Sequence, residues 1–241
     1  AYPSQEAALP SAMSQASSCS SIAQIDSIKK SAQQGDAKAQ CNLGIMYSQG
    51  QGITKDDREA FKWLSKAAEQ QYAPAQLELG VLYSQGRGIK EDLRKAFELF
   101  FSAAQQQCAP AQYNLGAFYE KGTGVEQNWK EAVKWYTKAA LDGNEWAQNK
   151  LANCYYYGDG VEQDEAKAVE YFTKSAEAGN KNSMNRLGDC YNYGRGVEQD
   201  YQQAINWYQQ AALAGHHIAK YNLGNCYYNG NGVEQLSLIH I

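Results

Sequence analysis

Apolar residues along this chain fall into short stripes of helical spacing, and the stripes recur at one fixed distance. Ala111, Leu115, Phe118 and Tyr119 follow an i, i+4, i+7, i+8 pattern, which predicts one face of an α-helix. Ala132, Val133, Trp135, Tyr136, Ala139 and Ala140 predict a second helix soon after it. The pair returns every 36 residues without an insertion: Leu stands at 43, 79, 115, 151, 187 and 223, and Tyr at 47, 83, 119, 155, 191 and 227. Five units are complete from about Asp36 to Gly215, and a sixth is cut short. A fixed period of this length predicts a stacked repeat array in which each helix pair buries its apolar stripes against its neighbours.

Polar punctuation keeps the same step. A Gly-x-Gly pair occurs at 50/52, 86/88, 122/124, 158/160, 194/196 and 230/232. Seen once, such a pair suggests a phosphate loop. Here it lacks the third glycine of a dinucleotide fingerprint and follows a predicted helix instead of a strand, so it is read as the turn between the two helices. Asp56, Asp92, Asn128, Asp164 and Asp200 then stand where a side-chain oxygen would cap the second helix.

The stretch Ala111 to Gly143, AQYNLGAFYEKGTGVEQNWKEAVKWYTKAALDG, carries Leu-Gly, Tyr, Gly-x-Gly-Val, Lys-Ala, Trp-Tyr and Ala-Ala at fixed offsets. It resembles the Sel1-like repeat, a relative of the tetratricopeptide repeat, and the likeness covers roughly four fifths of the chain. The resemblance implies an all-α, right-handed α-α superhelical solenoid that serves as a scaffold for protein–protein contacts. Departures are local. Ala152 replaces the usual Gly, Leu99 replaces Trp, and Gln71 and Gln107 replace the closing Gly.

Four segments are expected. Residues 1–21 are rich in Ser, Ala and Gln and off the repeat register, so they are read as flexible. Residues 22–35 return to register as a capping half-repeat, and 36–235 form the repeat solenoid, with five complete repeats over 36–215 and a truncated sixth over 216–235. The tail 236–241, LSLIHI, leaves the register and reads as a truncated or read-through frame as readily as a designed terminus.

Composition narrows the chemistry. A net charge of −4 gives no electrostatic footprint for nucleic acid and no polybasic membrane patch, and no apolar run is long enough to span a bilayer. Cys154, Cys190 and Cys226 share a column with Met46, Leu82 and Phe118, and are expected to be small buried thiols too far apart for disulfides. There is no Cys-x-x-Cys for zinc or redox work, and His216 and His217 are expected in a surface loop, so neither a metal nor a cofactor is expected. Unpaired cysteines favour a cytoplasmic setting, while export stays open because the chain begins at Ala1 and not at Met.

An enzyme is not expected. Ser27-Ile28-Lys29-Lys30 formally matches Ser-x-x-Lys, but Ser-Asp-Asn and Lys-Thr-Gly are missing, so no catalytic residue is assigned. A secreted β-lactamase-like or carbohydrate-binding repeat protein is the alternative to a scaffold. Opposite the Ala/Leu stripe of the first helices, about 200° away at ~100° per residue, lies a second set of positions. In the last three repeats these hold Asn149, Asn153, Tyr157, Asn185, Asp189, Tyr193, Tyr221, Asn225 and Tyr228. They form either a solvated polar face or a binding groove. Asn pairs with an extended backbone through both donor and acceptor, and Tyr supplies contact area at low entropy cost, so the face is a candidate for peptide or protein partners of a monomer.

Overall fold

The structure is a computed structural model that describes residues 22–232, with side chains from residue 24. The expected flexible segment 1–21, Cys19, His240 and the tail from 233 onward lie outside the described residues. Among the described residues there are twelve α-helices and no strand. The chain divides into two units at Asn128 and Trp129.

The first unit holds α1 (Ile22–Gln33), α2 (Ala37–Gln49), α3 (Asp57–Glu69), α4 (Ala73–Gln85), α5 (Leu93–Gln105) and α6 (Ala109–Lys121). The second holds α7 (Trp129–Leu141), α8 (Glu145–Tyr157), α9 (Glu165–Glu177), α10 (Lys181–Tyr193), α11 (Tyr201–Leu213) and α12 (His217–Asn229). Within each unit every helix packs on the next, and the first helix of a repeat also meets the first helix of the following one, as α2 does α4.

Four of the five expected N-caps appear where the sequence places them. Asp56, Asp92, Asp164 and Asp200 each accept from backbone N–H groups two or three residues ahead, satisfying donors that the first turn leaves unpaired. At the other end of the second helices, a buried glutamine of the following first helix adds a second donor to a carbonyl that already accepts the N–H of the closing glycine. Gln40 Nε2 donates to the Ala32 carbonyl at 3.1 Å and Gln148 Nε2 to the Ala140 carbonyl at 3.2 Å.

The two glycines of the turn have different duties. Gly158, at φ +79°, ends α8 and donates its N–H to the Cys154 carbonyl. Gly160, at φ +73°, lies so close to the preceding repeat that a Cβ would stand 2.5 Å from the Trp129 carbonyl oxygen. The turn is therefore also an inter-repeat contact. Its middle residue is aimed at the repeat before it: Arg87 Nη2 reaches Asp57 Oδ1 at 2.5 Å and the Ser48 carbonyl at 2.9 Å.

Core positions match the stripes. Leu43, Leu79, Leu115, Leu151 and Leu187 are buried, as are Ala60, Ala96, Ala132, Ala168 and Ala204. The column of tyrosines from Tyr47 to Tyr227 is half-buried. Cys41, Cys154, Cys190 and Cys226 are buried thiols, Cys108 is half-buried, and no disulfide joins the described cysteines.

Candidate functional site

The residues opposite the Ala/Leu stripe occupy two environments. Columns 41 and 45 form the seam between successive first helices. In the first unit that seam is apolar and closed, with Cys41, Leu77, Tyr113, Ile45, Val81 and Ala117 all buried. In the second unit the same columns carry Asn149, Asn153, Asn185, Asp189, Tyr221 and Asn225, and most of their polar groups are spent within the fold.

Asn149 Nδ2 donates to Ser183 Oγ at 2.7 Å, joining α8 to α10. Asn153 Nδ2 turns back to the Asn149 carbonyl at 2.8 Å. Asn185 is only 7% exposed, and its Oδ1 accepts from Asn222 Nδ2 at 3.2 Å, joining α10 to α12. Asp189 accepts from Tyr208 Oη at 2.8 Å and from Asn222 Nδ2 at 3.3 Å, with Arg186 Nη1 3.8 Å away. Burial holds the Asp189 carboxyl above its ordinary range, although the Tyr208 hydrogen bond and the nearby arginines pull the other way. Facing it, Tyr208 is raised by burial and by the carboxylate.

The tyrosines behave differently. Tyr157, Tyr193, Tyr221 and Tyr228 are 53%, 65%, 69% and 58% exposed, among the largest open apolar surfaces in the described residues. Two are attended by arginine. The Arg186 guanidinium lies 5.9 Å from the Tyr157 ring centre, and Arg195 lies 5.9 Å from Tyr193 and 5.7 Å from Tyr156. Arg195 also donates to Tyr156 Oη. It sits between the two turn glycines, at the position of Arg87 in the first unit, so the turn that clamps one repeat to the last also delivers a guanidinium to the tyrosine face.

Sequence reasoning singled out the nine residues but not the arginines, nor the split between seam and surface. Arg186 and Arg195 stand in columns whose residues vary from repeat to repeat, so the period gave no signal for them. Ser27 and Lys30 are both exposed on α1. His216 does more than occupy a loop, because its Nδ1 accepts from the Ala219 N–H at 3.1 Å and caps α12. No group of three or more His, Cys, Asp or Glu side chains among the described residues is placed to hold a metal ion. No described helix is long and apolar enough to cross a membrane.

The model of the Sel1 repeat matches residues 37–72, 73–108, 109–144, 147–180, 181–216 and 217–237. The chain belongs to the Sel1 repeat family. Its Sel1 repeats resemble those in the crystal structure of a protective antigen present in uropathogenic Escherichia coli strains. The identity is 39% and the TM-score 0.83, over 88% of this chain but only 45% of that one. A Sel1 repeat protein from Oxalobacter formigenes is 33% identical with a TM-score of 0.78, covering 89% of this chain and 90% of its own. A Sel1 repeat protein from Klebsiella pneumoniae, 21% identical with a TM-score of 0.53, shares the fold. No curated protein matches the chain. Sel1 repeat proteins generally mediate protein–protein interactions and are generally non-catalytic scaffolds.

Proposed function

We propose that this protein is a binding scaffold whose second unit docks a peptide or protein partner on the first-helix face of α8, α10 and α12. The observation that carries the reading is the open tyrosine surface of Tyr157, Tyr193, Tyr221 and Tyr228, two of whose rings are flanked by Arg186 and Arg195. Tyrosine and arginine are enriched where a few side chains dominate an interface, because both bury large areas while keeping polar tips to pair. Asn153 and Asn225 are half-buried beside them and add amide groups. Asn149, Asn185 and Asp189 serve as the base of the surface, holding the helices in register through the bonds described above.

The alternative of a β-lactamase-like or carbohydrate-binding protein has less behind it, since Ser27 and Lys30 have no companion motifs. The test is to capture a partner with the full chain and measure its affinity for Tyr157→Ala and Tyr193→Ala. Each is expected to weaken binding by about 1–3 kcal/mol without loss of helicity. Unchanged affinity in both variants places the binding surface elsewhere.

A further inference from the structure

The second helices of the five complete repeats carry their own ladder, and it is broken at one rung. Trp63, Trp135, Tyr171 and Trp207 occupy one column, and the equivalent residue of α5 is Leu99. Where the aromatic is present it fills a defined place. Trp63 packs against the cluster containing Ala32 and Leu43, and Trp207 against the cluster containing Ala176 and Leu187, which are the same columns in another repeat. One turn later a lysine closes over the ring in three repeats: Lys66 lies 4.5 Å from the Trp63 ring centre, Lys138 4.2 Å from Trp135 and Lys174 5.2 Å from Tyr171.

In α5 both members of that pair are missing. Leu99 replaces the indole and Ser102 replaces the lysine. The space they vacate remains as an open pocket of about 450 Å³ in the first unit, among α3, α4 and α5. Its apolar wall is Ala68, Leu79, Tyr83 and Leu99, the first three of which are equivalent to the Ala32, Leu43 and Tyr47 that surround Trp63. Glu69 and Glu98 stand among its lining residues, both exposed, with Arg94 Nε 3.6 Å from Glu98 in a solvent-exposed pair that an incoming cation would share. Lys95, the cation of the lining, is turned toward the Tyr83 ring at 5.5 Å and toward Asp92 at 4.0 Å.

We infer that this gap is a binding site for an aromatic side chain, tryptophan above all, followed at i+3 by a lysine or arginine on a partner polypeptide. The shape argument is internal to the chain. The walls that hold Trp63 in the first repeat are repeated here around the shorter Leu99, and an indole laid against them buries apolar area at both surfaces. The charge argument is equally local. A cation reaching past the ring from outside meets Glu69 and Glu98, as well as the negative face of the indole that it accompanies. This site lies in the first unit and goes beyond the tyrosine surface proposed above.

The full chain, labelled with nitrogen-15, is titrated with the peptide acetyl-Trp-Ala-Ala-Lys-amide and followed by amide chemical shifts. Saturable shifts at Ala68, Leu79 and Leu99 are expected, and Ala in place of Trp in the peptide should abolish them. Leu99→Trp, which restores the residue other repeats carry, should abolish them too while leaving the melting temperature unchanged or raised. Should Leu99→Trp fail to fold, Glu98→Lys gives the second reading. This residue is exposed, and its reversal should weaken the lysine peptide about threefold, the scale of one exposed ion pair. Shifts confined to other surfaces overturn the proposal, as does undiminished binding to folded Leu99→Trp. Equal binding of acetyl-Trp-Ala-Ala-Glu-amide overturns the charge assignment and with it the ligand class. Tyr193→Ala is expected to leave the titration unchanged, which separates this site from the tyrosine surface.

Discussion

Ser183 donates a hydrogen bond to Ser175 across 2.8 Å, at two columns that hold alanine in every other complete repeat. The pair is fully buried and belongs to a chain of donors: Asn149 Nδ2 gives to Ser183, Ser183 to Ser175, and Ser175 to the Glu145 carbonyl at 2.7 Å. Three helices, α8, α9 and α10, are thereby joined at one point. Because alanine fits both columns elsewhere, the shape of the site tolerates its loss, and the cost of substitution comes from polar groups left without partners. Ser175→Ala alone is expected to cost about 1–2 kcal/mol in urea unfolding, since the Ser183 hydroxyl then has no acceptor. The double change Ser175→Ala, Ser183→Ala should cost less than the sum of the single ones. Strict additivity would mean that the two hydroxyls are not coupled.

The turn glycines should separate by repeat contact. At Gly158 a Cβ meets Gln163 Cβ at 3.5 Å, an ordinary contact, whereas at Gly160 it meets the Trp129 carbonyl oxygen at 2.5 Å. Both sit at positive φ, so each alanine pays about 1–2 kcal/mol of backbone strain. Gly160→Ala must in addition push two repeats apart, and is expected to lose about 2 kcal/mol more than Gly158→Ala, measured as midpoints of chemical unfolding. Equal losses would assign the second glycine to backbone conformation alone.

Thiol reactivity should follow burial. Burial pushes Cys41 and Cys190 up to about 12, with Glu78 adding to the first and Asp189 to the second. Cys226 is raised by burial too, yet α12, which carries it, buries little besides Ala219 and this thiol. Among the described cysteines, half-buried Cys108 is expected to react with a thiol reagent at pH 8 before Cys226, while Cys41 and Cys190 wait for unfolding. Mapping the modified residues by mass spectrometry over time checks the order. Early labelling of Cys190 would contradict the packing of α10.

Helix pairs, N-caps and turns were legible because each depends on spacing within a few residues. Asp164 three residues before Lys167 is a cap signal wherever α9 happens to pack. The seam was not legible for a corresponding reason. An angle around one isolated helix separates the Ala/Leu stripe from the rest, but it does not say which of the remaining positions the next repeat will cover. Asn185 and Tyr193 are both off that stripe, and only the stacking of α10 on α12 puts the first inside and leaves the second out. Leu99 was visible as a departure, but its meaning needed the neighbouring repeat, and only the packing of α8, α9 and α10 drew attention to Ser175 and Ser183.

That division predicts opposite phenotypes. Asn185→Ala removes the acceptor of Asn222 Nδ2 and is expected to lower stability by about 1 kcal/mol. The remaining contact of Asn222 with Asp189, at 3.3 Å, limits the loss. Tyr193→Ala, at an exposed ring, should leave the unfolding midpoint within about 0.5 kcal/mol of the parent. A large stability loss from Tyr193→Ala would show that the ring supports the fold, and would remove it from the proposed binding surface.

His216 makes the end of the second unit sensitive to pH. The corresponding caps of α8 and α10 are Asn144 and Asn180, whose side chains accept at any pH. At α12 the acceptor is imidazole Nδ1, which can take the Ala219 N–H only while that nitrogen is unprotonated. Burial lowers the His216 pKa from its usual 6.5, and Lys181, His217 and Arg186 lower it further. The unfolded chain therefore binds this proton more readily than the folded one. Stability from this group is complete above the unfolded value and is lost as pH falls below about 6.5 through the lower folded value. Hydrogen exchange of the α12 amides, corrected for intrinsic rates, is expected to show protection declining over that window. His216→Asn should restore a cap like those of Asn144 and Asn180 and flatten the dependence. If the parent keeps its α12 protection down to pH 5, the imidazole is not the cap that holds this helix. If His216→Asn loses protection in parallel with the parent, another group governs the change, and Asp189 beneath α12 becomes the residue to substitute next.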